Sequence, residues 1–132
     1  MQKIRAADVI PTEHEEQVTL VNWFRWKFPG VLIHAIPNGA HLAGSTRLRQ
    51  AKVVRMKQEG LVPGVPDLHV PAWDLWIEMK RRKGGRLSED QREQIAYLQS
   101  IGDTVLIAEG VDDAVDQITA LRARQRAEEA RS

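Results

Sequence analysis

The segment "VPDLHVPAWDLWIEMKRR", residues 65–82, constrains the fold more than any other part of the chain. Its apolar residues recur at every second position, the pattern of paired β-strands rather than of a helix. "DLHV" and "LWIEMKR" read as two strands joined through "PAWD". Along the second strand Leu75, Ile77 and Met79 share one face, while Trp76, Glu78 and Lys80 share the other. The first set is a core face. With the hairpin symmetric about Ala72-Trp73, Val70 faces Leu75 and Asp67 faces Glu78. Directly opposed strand residues hold their Cβ atoms roughly 4.5–5.5 Å apart, where like charges destabilise the pair. Two facing carboxylates call for a cation between them. Hard divalent ions favour such oxygens, and Mg²⁺ uses one or two carboxylates while keeping water or phosphate in its other positions. Lys80, two residues beyond Glu78 on the same face, is placed to stabilise charge building on a bound group. The alternative is a solvated salt-bridge cluster on an exposed face. A register slip of one residue would break the pairing altogether.

The remaining segments surround this hairpin with helices and strands in alternation. "PTEHEEQVTLVNWFRWKF" is a helix, with Thr12 and Glu15 forming a capping box and Leu20, Val21, Phe24 and Phe28 at helical spacing. "VLIHAI" (31–36) has strand composition, and "PNGAHLAGS" reads as a loop. Residues 46–59 predict a basic helix ended by Gly60. Ser88 and Gln91 form a second capping box, opening a helix through about residue 100, and "TVLIAE" (104–109) is a buried-type strand. A last helix from Val111 is expected to fray into a charged tail. These elements pack most economically as an α/β fold with one central sheet.

Composition narrows the function classes. The 132 residues include no cysteine, which excludes disulfides and thiolate metal sites. The N-terminal stretch has no apolar h-region and no run approaches membrane-spanning length, so a cytoplasmic protein is expected. Net charge is only +1, but its distribution is uneven. "RLRQAKVVRMK" (47–57) and "KRRKGGR" (80–86) each hold five cations and no acid, and acids collect in 12–17, 88–93 and 109–116. Basic blocks in a near-neutral chain suit a polyanion held against one face, or else two solvated basic segments.

Glu13 and Gln17 stand four apart and extend the Leu20/Phe24 stripe toward the helix start. An acid there reaches the same metal through water, or simply favours the helix N-terminus. Glu16 replaces Glu13 in this role if the helix is phased differently. Gln91 either completes its capping box or contacts the site. The four histidines, His14, His34, His41 and His69, show no metal-ligand spacing. The tryptophans are expected in the core or at an interface, with Trp73 at the hairpin tip the leading interface candidate.

The ordered set E-x-x-x-Q at Glu13 and Gln17, "PNG" at 37–39, "GVPD" ending at Asp67, "EMK" at Glu78 to Lys80, and "SEDQ" ending at Gln91 resembles the PD-(D/E)XK nuclease superfamily. More narrowly it is similar to the VRR-NUC branch, the virus-type replication-repair nucleases. That resemblance implies a restriction-endonuclease-like core with a central mixed β-sheet flanked by helices. The nuclease domain would span 12–120, with 1–11 a flexible lead-in and 121–132 a charged helix end. It implies an Mg²⁺- or Mn²⁺-dependent endodeoxyribonuclease in which Asp67, Glu78 and the Met79 carbonyl hold metal. Glu13 would be a nearby acid, Lys80 the catalytic lysine, and Gln91 a neighbour of the site. Asn38, His41, Arg47, Arg49, Lys52 and Arg55 would hold DNA, with Arg81, Arg82, Lys83 and Arg86 adding phosphate contacts. Small members of the branch, often phage- or bacterially encoded, resemble homodimers that cut branched DNA, notably four-way junctions. A nickase, a sequence-specific cutter and a non-catalytic nucleic-acid-binding module are the other readings.

Overall fold

The computed structural model describes residues 9–38 and 42–132, so His41 and Gly39 of the predicted loop lie outside the described residues. The elements run α1 (Glu13–Lys27), β1 (His34–Ala35), α2 (Thr46–Gln58), β2 (Leu68–Val70), β3 (Leu75–Lys80), α3 (Glu89–Ser100), β4 (Thr104–Glu109) and α4 (Val111–Arg131). A single 3₁₀ turn, Pro71–Trp73, joins β2 to β3. The four strands form one sheet in the order β1-β2-β3-β4. β1 and β2, and β2 and β3, pair antiparallel, whereas β3 and β4 are parallel. Parallel neighbours need a long crossover, and α3 supplies it. The expected mixed sheet flanked by helices is present.

Both expected capping boxes exist. Thr12 accepts from the Glu15 N–H and Glu15 reaches back to Thr12; Ser88 and Gln91 do the same for α3. The hairpin register is the symmetric one, with Val70 opposite Leu75 and Leu68 opposite Ile77. α1 buries Glu16, Leu20 and Phe24 toward the sheet. There they meet Leu68, Val70, Leu75, Ile77 and Met79 from the strands and Ala114, Ile118 and Leu121 from α4. Fully burying an aliphatic side chain of this kind is worth about 1.5–3 kcal/mol. The core therefore sits between this face of the sheet and the α1/α4 pair.

Three expectations are corrected. β1 is two residues long rather than spanning 31–36. The Val31 N–H turns back to the Phe28 carbonyl, and Pro37 has no N–H to extend a ladder. α4 stays helical to Arg131 instead of fraying, and Arg122 pairs there with Glu129 at 3.4 Å. Trp73 is not a free hairpin tip. Its ring lies 5.3 Å from Phe24 and 4.9 Å from Phe28, with the Arg122 guanidinium 5.2 Å above it. Trp26, at the end of α1, is the exposed tryptophan at 78%.

Candidate active site

Continuing the β2–β3 register by one residue places Asp67 opposite Glu78, where the chain enters β2. The Asp67 carbonyl accepts the Ile36 N–H at 2.8 Å, and its Oδ2 accepts the Met79 N–H at 2.8 Å. The carboxylate is thus fixed against β3 by the residue between Glu78 and Lys80. Glu78 is 2% exposed and Lys80 8%, so the face opposite the apolar core is covered rather than solvated. A solvated salt-bridge cluster does not describe it.

The cover comes from α3 through Gln91. Its Nε2 donates to Glu78 Oε1 at 2.8 Å, and its Oε1 accepts from Lys80 Nζ at 3.0 Å. The same oxygen accepts the Ser88 N–H at 2.9 Å, so the cap and the site contact are one arrangement rather than alternatives. Lys80 Nζ also lies 3.5 Å from Glu78 Oε1. Gly64, three residues before Asp67, explains how α3 comes so near. A Cβ there would fall 2.3 Å from the Asp90 carbonyl carbon and 2.6 Å from the Gln91 nitrogen, and the backbone has φ +88°. Only glycine tolerates both.

These contacts leave one atom without a donor. Among the described residues, Glu78 Oε2 is the buried side-chain oxygen that receives no donor; its neighbour is the Asp67 carboxyl, to which Glu78 hydrogen-bonds when it carries a proton. Burial and then the Asp67 charge push the Glu78 carboxyl up to about 8, against the partial opposition of Lys80. Asp67 is raised too, first by burial, with the Met79 N–H opposing and Glu13 adding to the rise. Both carboxyls are therefore costly to ionise without a counter-charge, which a cation between them would supply.

α1 contributes the rim. Glu13, His14 and Gln17 line a cavity of about 220 Å³ with Ile36, Pro37, Asn38 and Asp67. This gathers the E-x-x-x-Q pair, the first two residues of "PNG" and the aspartate of "GVPD". Glu16 faces elsewhere. It is buried on the core side, where its Oε1 accepts Arg82 Nε at 2.8 Å and its Oε2 accepts the Val111 N–H. The structure therefore brings Glu13, not Glu16, to Asp67. Arg82 is correspondingly no freely solvated loop cation.

Arg47, Arg49, Lys52 and Arg55 are exposed along α2, which buries no residue at all. Lys52 Nζ donates to the Ala43 carbonyl at 3.0 Å. Arg81, Lys83 and Arg86 are exposed in the loop after β3. A feature outside the sequence expectations is a row across the same polar sheet face. His34 Nε2 lies 3.2 Å from His69 Nδ1, His69 stacks on Trp76 at 3.9 Å, and Trp76 Nε1 donates to Asp103 Oδ2 at 2.9 Å. Strand pairing, not sequence spacing, joins these histidines.

Among the described residues, no group of three or more His, Cys, Asp or Glu side chains is gathered closely enough to hold a metal by itself. The donor set fits a hard ion that takes two carboxylates and completes its shell with water and phosphate. The buried, donorless Glu78 Oε2 beside Asp67 is what such an ion would satisfy. No helix of the described residues is long and apolar enough to cross a membrane.

No protein-family model and no curated protein matches the chain. A solved structure described as "VRR_NUC domain protein" is similar to it with a TM-score of 0.65 and 27% sequence identity, over 84% of this chain and 88% of the other.

Proposed function

We propose that this chain, which that likeness assigns to the VRR-NUC family of nuclease domains, is a divalent-metal-dependent endodeoxyribonuclease acting by preference on branched DNA. The observation that carries the reading is the buried Glu78 Oε2, left without a donor next to Asp67. In this reading Asp67, Glu78 and the Met79 carbonyl hold Mg²⁺ or Mn²⁺, with Glu13 reaching it through water. The bound ion supplies Lewis acidity toward the scissile phosphate and the attacking water.

The chain's own groups do the rest. Lys80, held between Gln91 and Glu78, would offer its side-chain nitrogen to the negative charge that builds on the phosphoryl oxygens. Gln91 positions that lysine and also donates to Glu78 Oε1, which would leave the other oxygen of Glu78 available to the ion. The α2 cations, Asn38 and His41, with Arg81, Arg82, Lys83 and Arg86, hold the phosphate backbone and carry little base readout. A homodimer would present two such sites to the symmetric strands of a four-way junction. A cytoplasmic location fits this substrate.

One assay tests the set. Purified protein is incubated with labelled linear duplex, nicked plasmid and four-way junction in Mg²⁺, Mn²⁺ or EDTA, beside Asp67→Asn and Lys80→Ala. The expected result is junction cleavage that needs metal, Asp67 and Lys80. Cleavage in EDTA, or by Asp67→Asn, removes the mechanism. Equal rates on linear and branched DNA favour a nickase or sequence-specific cutter, and binding without cleavage favours a non-catalytic module. Light scattering reports the dimer.

A further inference from the structure

The first turn of α1 holds one buried residue, and it is an acid. Apolar burial on this helix begins only at Leu20 and resumes at Phe24, one and two turns beyond Glu16. Glu16 is 1% exposed. A buried carboxylate costs several kcal/mol unless partners on other elements repay it. Glu16 has two, Arg82 Nε at 2.8 Å and the Val111 N–H. α4 has no side-chain cap of its own, so Glu16 caps it from across the fold and sets a negative charge at its positive end.

Both partners lead to β3. Arg82 follows Lys80 by two residues, and Gly110, at the start of α4, donates its N–H to the Lys80 carbonyl at 3.0 Å. A Cβ on Gly110 would lie 2.7 Å from Arg82 Cγ and 3.3 Å from Glu16 Oε2. The bare glycine is what lets the pair close over the helix end. Glu13 stands three residues before Glu16 on the same helix. It is exposed, and the pose of α1 sets where its Cα stands relative to Asp67 and Glu78.

We infer that Glu16 is a positioning residue: by gripping Arg82 and the start of α4, it fixes the first turn of α1 against the exit of β3 and so holds Glu13 toward Asp67 and Glu78 for a divalent cation. This rests on the nuclease reading above. The test is calorimetric titration of the DNA-free protein with Mn²⁺, for the parent, Glu16→Gln, Glu13→Ala and the double variant, beside thermal melts in EDTA. Ile118→Val, a small core change on α4, serves as the control for lost stability. The expected result is an affinity loss of about tenfold for Glu16→Gln, the lower end of what removing a supporting residue costs. The double variant should bind no more weakly than Glu13→Ala alone, because Glu16 acts through Glu13. Ile118→Val should melt lower with Mn²⁺ affinity unchanged. If Glu16→Gln melts lower yet binds Mn²⁺ like the parent, or if the two losses multiply, the inference is overturned while the nuclease reading stands. Should Glu16→Gln fail to fold, Arg82→Ala carries the same cycle with the same outcomes. A parent that binds no Mn²⁺ takes down both.

Discussion

On the side of the sheet that meets α1 and α4, Leu68, Val70, Leu75, Ile77 and Met79 are fully buried among apolar neighbours. On the other side the same strands carry His69, Trp76, Glu78 and Lys80, bonded to one another's neighbours and to α3. The first side is complete: it asks nothing of solvent or ligand. The second is a chain of hydrogen bonds from the Ser88 N–H through Gln91 to Lys80 and Glu78, and it ends on an oxygen with no donor. One strand, β3, thus packs its odd-numbered side chains into the apolar core and turns its even-numbered ones to the polar face. In the proposed function a divalent cation is the group that would complete this polar face.

The sharpest way to break this contrast is Glu78→Gln. Cleavage should fall by about 10³-fold or more, since a group placed for charge in the transition state is lost. Yet the metal-free protein should melt higher at pH 8.5, because the repulsion with Asp67 is gone. A lower melting temperature in EDTA would show that the Glu78 charge supports the fold, and the contrast would fail. On the apolar side, Ile77→Ala should cost about 2–5 kcal/mol in denaturant unfolding. That loss should be the same in EDTA and in Mn²⁺; a metal-dependent loss would mean that the two faces are not separable.

pH sharpens the comparison further. The Glu78 carboxyl is held near 8 in the fold against an ordinary 4.5, so the folded state keeps a proton that the unfolded chain releases. Its contribution is therefore fully present below about pH 4.5 and is lost as pH rises through about 8. Asp67, raised as well, works in the same direction. Melting temperature in EDTA should fall between pH 5 and pH 8.5, and the rise produced by Mn²⁺ should be larger at pH 8.5 than at pH 6. The smallest effect expected is for Trp76→Phe, which removes the bond to Asp103 and should cost about 0.5–1.5 kcal/mol in unfolding. Cleavage should be untouched; a large loss of activity would extend the site along the His34–His69–Trp76 row.

Local relations were legible in the sequence. The Thr12/Glu15 and Ser88/Gln91 boxes depend on residues three apart, and the face assignments along β3 depend on residues two apart. The hairpin register followed from symmetry about one turn. The double duty of Gln91 was not legible, since its cap is local while its grip on Lys80 and Glu78 requires α3 to lie over the sheet. Nor was the burial of Glu78 and Lys80, because alternation says which residues share a face but not what covers it. The preference for Glu13 over Glu16 rested on the helix phase alone, and the contacts of Glu16 with Arg82 and Val111 are what show that it faces away from Asp67.

The sequence by itself settled which residue types share a face and where helices begin, because these follow from backbone periods of two and 3.6, while the opposition of Asp67 and Glu78 rested on taking the hairpin as symmetric. Tertiary structure alone decided that the polar face is closed by Gln91, that Glu16 turns to Arg82 and Val111, and that Glu78 Oε2 receives no donor. Those outcomes join groups far apart along the chain, Glu16 and Arg82 by 66 residues. Such encounters are set by how the layers pack, and no local period encodes them.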